Sequence, residues 1–225
     1  MKGKFEKIKK IAEKELACSA HDMEHIMRVY GMAMKIAKTE KNVDHEILKA
    51  AALLHDIARS KEDDDKTGKT CHAKESARMS KPILEKLGFS EDKIKKIQHC
   101  ILTHRYKTNN RPKTIEAKIL FDADKLESLG ALVMVRAGMW MGRHGCNIFP
   151  KMSLRKYAKK NLVGGKLAGR IKDPSLHNIF YEHEIKCKKL PDLMHTEIGR
   201  RIAKERLNFP TMFLDRLKKE AKGIL

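Results

Sequence analysis

The sequence is poor in several things, and each scarcity excludes something. Aromatic residues make up only 5% of the chain, leaving little surface on which nucleobases could stack. The five cysteines, Cys18, Cys71, Cys100, Cys146 and Cys187, form no C-x-x-C pair. Their odd number and irregular spacing argue against a disulfide framework and predict a reducing, cytoplasmic setting. No stretch approaches the roughly 20 apolar residues that cross a bilayer, so no membrane association is expected. The opening Met-Lys-Gly-Lys-Phe-Glu lacks the apolar stretch of a signal peptide. Strand-type alternation, internal repeats and low-complexity tracts are also missing. The β-like run Ala131-Leu-Val-Met-Val135 reads as buried helix from its flanks.

What is present is an apolar share of 41% in 225 residues. That suffices for one large domain, or a domain with an appendage. The twelve methionines suit irregular helix packing. The formal charge of +20 favours polyanionic partners such as nucleotides or nucleic acid. The competing reading is solubility, because the lysines sit singly along many helices rather than in one block.

Apolar residues recur at helical spacing nearly throughout: Ile8, Ile11, Ala12 and Leu16, then Ile26, Val29, Ala33 and Ile36. Asp44 is placed to cap a helix carrying Ile47, Leu48, Ala51 and Leu54. Lys61 to Thr70 reads as a loop. A helix is expected from His72 to Leu87, stopping at Gly88, and another from Ser90 towards His104. A polar connection covers Tyr106 to Thr114, and helices cover Ile115 to Gly142. Turn formers fill 142–150 and 164–174. Ser175 is expected to cap a helix ending before Pro191. A last helical region, Asp192 to Lys222, is expected to break at Pro210. The predicted class is all-α, a helical bundle with additional C-terminal helices. Its expected divisions are an N-terminal helix (1–19), a core (20–145) and a C-terminal helical extension (146–225).

On this frame sits a scattered set of metal-ligand residues: His25 within His21-Asp-Met-Glu-His25, the adjacent His55-Asp56, and Asp124 within Asp122-Ala-Asp-Lys-Leu. A lone histidine on an apolar face is usually a core residue. His55-Asp56 closes Ala-Ala-Leu-Leu, and a carboxylate buried there costs several kcal/mol, order of magnitude, unless it is paired or metal-bound. Two imidazoles and two carboxylates suit Mn²⁺, Mg²⁺, Fe²⁺, Ni²⁺ or Zn²⁺. A zinc peptidase of the H-E-x-x-H kind is disfavoured, because Asp22 stands where the glutamate is needed. The stretch from Gly142 to Phe149 lacks the Gly-Lys-Ser/Thr ending of a phosphate-binding loop.

His25…His55-Asp56…Asp124 resembles the H…HD…D signature of the HD-domain superfamily of metal-dependent phosphohydrolases, and each element carries its family context. His25 lies in His-Ile-Met-Arg-Val, like H-x-x-R-V. Asp124 lies in Asp-Ala-Asp-Lys-Leu-Glu-Ser-Leu-Gly, like D-A-D-[RK]-L-[DE]-x-[IL]-G. The segment Asp192-Leu-Met-His-Thr-Glu-Ile-Gly-Arg is similar to the D-L-M-x-T-x-x-G-R stretch of one prokaryotic subfamily linked to nucleoside triphosphate pyrophosphohydrolysis.

The resemblance implies a metal-dependent phosphohydrolase with His25, His55, Asp56 and Asp124 as ligands, Mn²⁺ favoured, and His55 and Asp56 at the catalytic centre. The implied substrate is a small phosphate compound, a nucleotide in particular. His72, His104 and His21 are candidates for a second metal or for phosphate contact. Asp122 has two readings, ligand or hydrogen-bond acceptor. Arg28, Lys61, Lys125 and Arg136 are candidates for binding substrate phosphate, each against a reading as a solvated or structurally paired charge. The acidic run from Glu62 to Asp65 could repel anions or help bind metal. The alternative function is a nucleic-acid or nucleotide binding protein whose metal site is not catalytic.

Overall fold

The fold starts from a helix that can face water almost nowhere. From Ile47 to Leu54 all but one residue is buried, so this stretch must be surrounded. The computed structural model describes residues 2–16, 23–65, 67–105 and 110–225. The chain divides into two compact units, one of residues 1–124 with 195–199, the other of 125–194 with 200–225.

In the first unit, α1 (Lys2–Leu16), α2 (Met23–Ala37) and α3 (His45–Leu54) precede a short α4 (Arg59–Asp64). Then come α5 (His72–Lys86), α6 (Glu91–Thr103) and α7 (Ile115–Leu126), the last crossing the division at Asp124. The central α3 packs against α1, α2, α5 and α6, burying Ile8, Ile26, Val29, Leu48, Ile97 and Ile101. Asp44 caps α3, its Oδ1 accepting from the Glu46 and Ile47 amides at 2.9 and 3.2 Å. Such a cap contributes about 1 kcal/mol. Ser90 caps α6 in the same way, and Gly88 takes the positive φ that ends α5.

In the second unit, α8 (Ala131–Arg143), α9 (Leu154–Asn161), α10 (Ile179–Ile185) and α11 (Leu190–Leu193) precede the 24-residue α12 (Glu197–Glu220), which belongs to this unit from Arg200 onward. A small core holds Tyr157, Ala158, Leu162 and Tyr181, with the two tyrosine rings stacked 3.9 Å apart. Among the described residues there is no strand, only an isolated bridge between Leu162 and Ile171. The all-α class therefore holds.

Four expectations are corrected. The loop Lys61 to Thr70 begins as helix α4, because Arg59 reaches Asp63 one turn on at 3.2 Å and offsets the repulsion of the acidic run. The loop resumes at Asp65, whose carboxylate accepts from the Thr67 and Thr70 amides. Ser175 does not cap the next α-helix: Asp173 caps a short 3₁₀ turn there, and Asn178 caps α10. Pro210 does not break α12; it is buried, and the Thr211 hydroxyl donates to the Leu207 carbonyl at 2.9 Å on the adjacent turn. The run from Ala131 to Val135 is helical but largely unburied, with Val135 63% exposed.

The segment from His195 to Gly199 belongs with the first unit because of Asp122. The Asp122 carboxylate accepts from the His195 amide (2.9 Å), the Thr196 amide (2.7 Å) and the Thr196 hydroxyl (2.6 Å). The Gly199 amide in turn donates to Thr196 Oγ1. A Cβ at Gly199 would collide with Asp122 Oδ2 and lie 2.7 Å from Thr196 Oγ1. Gly199→Ala is therefore expected to cost about 2–4 kcal/mol of stability by breaking a buried hydrogen-bond network. Gly31→Ala, in open space on α2, should stabilise by up to about 1 kcal/mol. Denaturant unfolding of the two variants checks this, and equal stabilities would refute it.

Candidate metal centre

The centre is assembled from helix ends. His55 is the C-cap of α3 and His104 the C-cap of α6, while His72 opens α5 and His25 stands in the first turn of α2. Helix C-termini carry partial negative charge, so the ends of α3 and α6 favour a cation beside them. All four histidines and Asp56 are buried, none more than 5% exposed.

Asp56 is the hub. Its Oδ2 faces His25 Nε2 at 3.8 Å and His55 Nε2 at 3.9 Å. Its Oδ1 faces His72 Nε2 and His104 Nε2, both at 3.4 Å. Two metal-competent triads result, His25–His55–Asp56 and Asp56–His72–His104. Asp124 approaches from α7, its Oδ1 3.5 Å from His25 Nε2.

The tautomers follow from the outer hydrogen bonds. His55 Nδ1 donates to the Ala52 carbonyl at 2.9 Å, His104 Nδ1 to the Ile101 carbonyl at 2.5 Å, and His72 Nδ1 to the Glu62 carboxylate. Each ring thus directs its proton outward and turns a bare Nε2 lone pair inward. Burial pushes the pKa of all three below the ordinary 6.5, against the pull of nearby Asp56, so they are neutral at pH 7. Desolvation alone would raise the Asp56 pKa, but the charge of His55, with a hydrogen bond from His104 and the charges of His72 and His104, holds it well below the carboxylate range once those rings are protonated. Three lone pairs and a carboxylate therefore converge without a proton among them. His72 Nε2 and His104 Nε2 stand 3.2 Å apart, and His55 Nε2 and Asp56 Oδ1 have no hydrogen-bond partner. A buried set made only of acceptors fits a cation, and imidazole with carboxylate suits a divalent transition metal.

Glu62 was visible in the sequence only as part of an acidic run. In the fold it orients His72 and is held by Arg105 Nη2 at 2.8 Å and by Arg59 at 3.7 Å. Burial works to raise its pKa, but the hydrogen bond from His72 and the charges of His72, Arg105 and Arg59 keep it at about 2. A carboxylate behind a ligand histidine fixes the ring and raises its basicity. The sequence carried no signal for this pairing, since it depends on the unexpected helix α4.

The remaining candidates are placed as follows. Of the two roles open to Asp122, the structure displays the acceptor, with both oxygens engaged at 195–196. Arg28 lies 3.5 Å from Glu24 one turn back on α2. Lys61 pairs with Glu75 at 3.2 Å. Lys125 and Arg136 fall in the second unit, on α7 and α8. His21 lies outside the described residues.

Residues 22–129 match the family model described as HD domain. The chain contains an HD domain. YpgQ of Bacillus subtilis (strain 168) is 28% identical to this HD-domain protein over 210 residues, covering 92% of this chain and 87% of YpgQ. An HD-superfamily hydrolase from Bacillus thuringiensis superposes with a TM-score of 0.69 at 29% identity, covering 98% of each chain. The structure of B. subtilis YpgQ in complex with ADP superposes with a TM-score of 0.67 at 24% identity, over 97% of this chain and 95% of that one. The HD-domain protein thus has the fold of HD-superfamily hydrolases.

The neutral histidines make metal-free stability depend on pH. Their folded pKa values lie below 6.5, so the unfolded chain binds more protons just below that pH. Their contribution is complete above pH 6.5 and is lost as pH falls through the folded values, by up to about 1.4 kcal/mol per histidine per pH unit. Chelator-treated protein should therefore melt progressively lower as pH falls from above 6.5 to about 5, and saturating Mn²⁺ should blunt the decline. A flat profile without metal would contradict neutral imidazoles.

Proposed function

We propose that the HD-domain protein is a metal-dependent phosphohydrolase acting on a nucleotide, as a nucleoside triphosphate pyrophosphohydrolase or a related phosphatase. The observation that carries the reading is the buried Asp56 carboxylate shared by two triads of proton-free acceptors. The ADP complex of YpgQ supports a nucleotide as the ligand class, and the net charge of +20 suits an anionic substrate.

In this reading His25, His55, Asp56 and Asp124 hold one divalent cation, Mn²⁺ by preference. His72 and His104 share Asp56 with it and offer a second position. When bound, such a cation polarises a phosphoryl oxygen and acidifies water. The chain's own contribution is placement. The backbone carbonyls of Ala52 and Ile101 keep His55 and His104 in the Nδ1–H form, and Glu62 does so for His72. The buried floor excludes bulk water, which strengthens charge–charge interactions there. Arg28, Lys61, Lys125 and Arg136 are the cations assigned to substrate phosphate. No helix among the described residues is long and apolar enough to cross a membrane. The free thiols of Cys71, Cys100, Cys146 and Cys187 support a cytoplasmic setting.

The test is hydrolysis of a nucleotide panel by metal-stripped protein resupplied with Mn²⁺, Mg²⁺, Fe²⁺, Ni²⁺ or Zn²⁺, with pyrophosphate and orthophosphate assayed separately. His55→Ala and Asp56→Ala should each abolish turnover while far-ultraviolet circular dichroism stays helical. Retained metal-dependent turnover in both would sink the reading. Nucleotide binding without turnover under any metal would favour the non-catalytic binding protein instead. Glu62→Gln should weaken metal affinity by roughly 10- to 100-fold, as removal of a carboxylate behind a ligand histidine does; isothermal titration with Mn²⁺ decides, and an unchanged Kd would make Glu62 irrelevant to the centre.

A further inference from the structure

The cations of this chain are dispersed, but its carboxylates are not. Between Glu127 and Asp173 there is no aspartate or glutamate, while ten lysines and arginines fall in the same 45 residues. Elsewhere carboxylates are interspersed with the cations, and several pair one turn away, as in Lys9–Glu13, Lys81–Glu85, Lys96–Asp92 and Arg216–Glu220.

Within the acid-free stretch, six of the ten cations gather on α9 and the segment folded back against it. Arg155, Lys156, Lys159 and Lys160 are all exposed, in i,i+4 pairs that form two rows about 5.4 Å apart per turn. The opposite side of α9 is committed to the Tyr157–Ala158–Leu162–Tyr181 core. The Leu162–Ile171 bridge, with Val163 N donating to Arg170 O and Lys172 N to Asn161 O, returns more cations to the same helix. Lys172 Nζ ends 3.4 Å from the Lys160 carbonyl. Among the described residues, none of these six cations makes an ion pair with a carboxylate.

Folding does not account for this arrangement. Lys159 and Lys160 suit the C-terminus of α9, but Arg155 and Lys156 occupy its first turn, where the helix dipole disfavours positive charge. Like charges one turn apart are destabilising as well. A dense polyanion is the complement that turns both costs into binding.

We propose that the exposed face of α9, with Arg170 and Lys172, is a docking surface for the phosphate backbone of duplex nucleic acid, built from residues other than those of the HD centre. The recognition is sequence-independent. The one aromatic residue of α9, Tyr157, is fully buried, so no ring is offered for base stacking. An anionic membrane fits less well, because an interfacial helix inserts its apolar side and that of α9 is already covered.

The test is fluorescence anisotropy of a short labelled DNA duplex of random sequence, titrated with the full chain in EDTA, so that the outcome is independent of metal and of turnover. The wild type should bind, with affinity falling steeply from about 50 to about 200 mM salt. Combined Arg155→Gln, Lys156→Gln and Lys160→Gln should weaken binding at least ten-fold and lower the log–log salt slope by about 3, near 0.9 for each phosphate no longer neutralised. An equal charge change on α1, Lys7→Gln, Lys10→Gln and Lys14→Gln, should alter affinity less than three-fold. Equal weakening in the two triple variants would overturn the proposal in favour of bulk charge. So would unchanged affinity in the α9 variant, no duplex binding by the wild type, or tighter binding to phosphatidylserine vesicles than to DNA.

Discussion

A carboxylate out of water is the constraint around which this structure is arranged. Asp56 is 4% exposed, and an isolated ionised carboxylate there would carry a penalty of several kcal/mol, order of magnitude. The fold does not relieve it with a lysine or an arginine. It surrounds Asp56 with imidazoles that have already given their protons to Ala52, Ile101 and Glu62. What remains is an electrostatic demand that only a cation meets. The helix ends follow from that demand: α3 and α6 stop at His55 and His104, where their partial negative charge adds to the same field.

Most of this was legible because burial and charge conflict openly in Ala-Ala-Leu-Leu-His-Asp. An apolar run ending in two ionisable residues leaves few physical solutions, and His25 and Asp124 have the spacing and context to join them. The helices around Asp44, Gly88 and Ser90 were legible for the same local reasons, a cap or a positive φ. What escaped depends on contacts far along the chain. Glu62 looked like one acid among four, and only the turn of α4 brings it to His72 and Arg105. Pro210 looked like a helix break, yet a buried proline beside a hydroxyl bonded to Leu207 is tolerated. The charge asymmetry of residues 128–172 escaped for a different reason: counting lysines shows dispersion, whereas the signal lies in missing acids.

The second unit is held together differently. Its local core is small, and stacked tyrosines do much of the packing, with Tyr157 reaching His177 Nδ1 at 2.6 Å and Tyr181 donating to the Met152 carbonyl at 2.8 Å. Burial and the neighbouring carboxylate Glu182 leave the Tyr157 hydroxyl a poor acid, its pKa near 12 despite the hydrogen bond from Asn161. Such rings supply rigid area at little conformational cost, which frees the outward side of α9 from any need for apolar contacts.

The tie from Asp122 to Thr196 also sets an order of events during synthesis. The helix that carries Asp124 keeps a buried carboxylate at Asp122 whose donors lie more than 70 residues further on. A nascent chain can form α1 to α6 as they emerge, but the Asp122 carboxylate on α7 stays without these donors until His195 and Thr196 have emerged as well. The histidines and Asp56 thus depend only on α2 to α6, whereas the helix that brings Asp124 beside His25 depends on a segment made much later, and a chain ending before Thr196 would lack the donors that hold it.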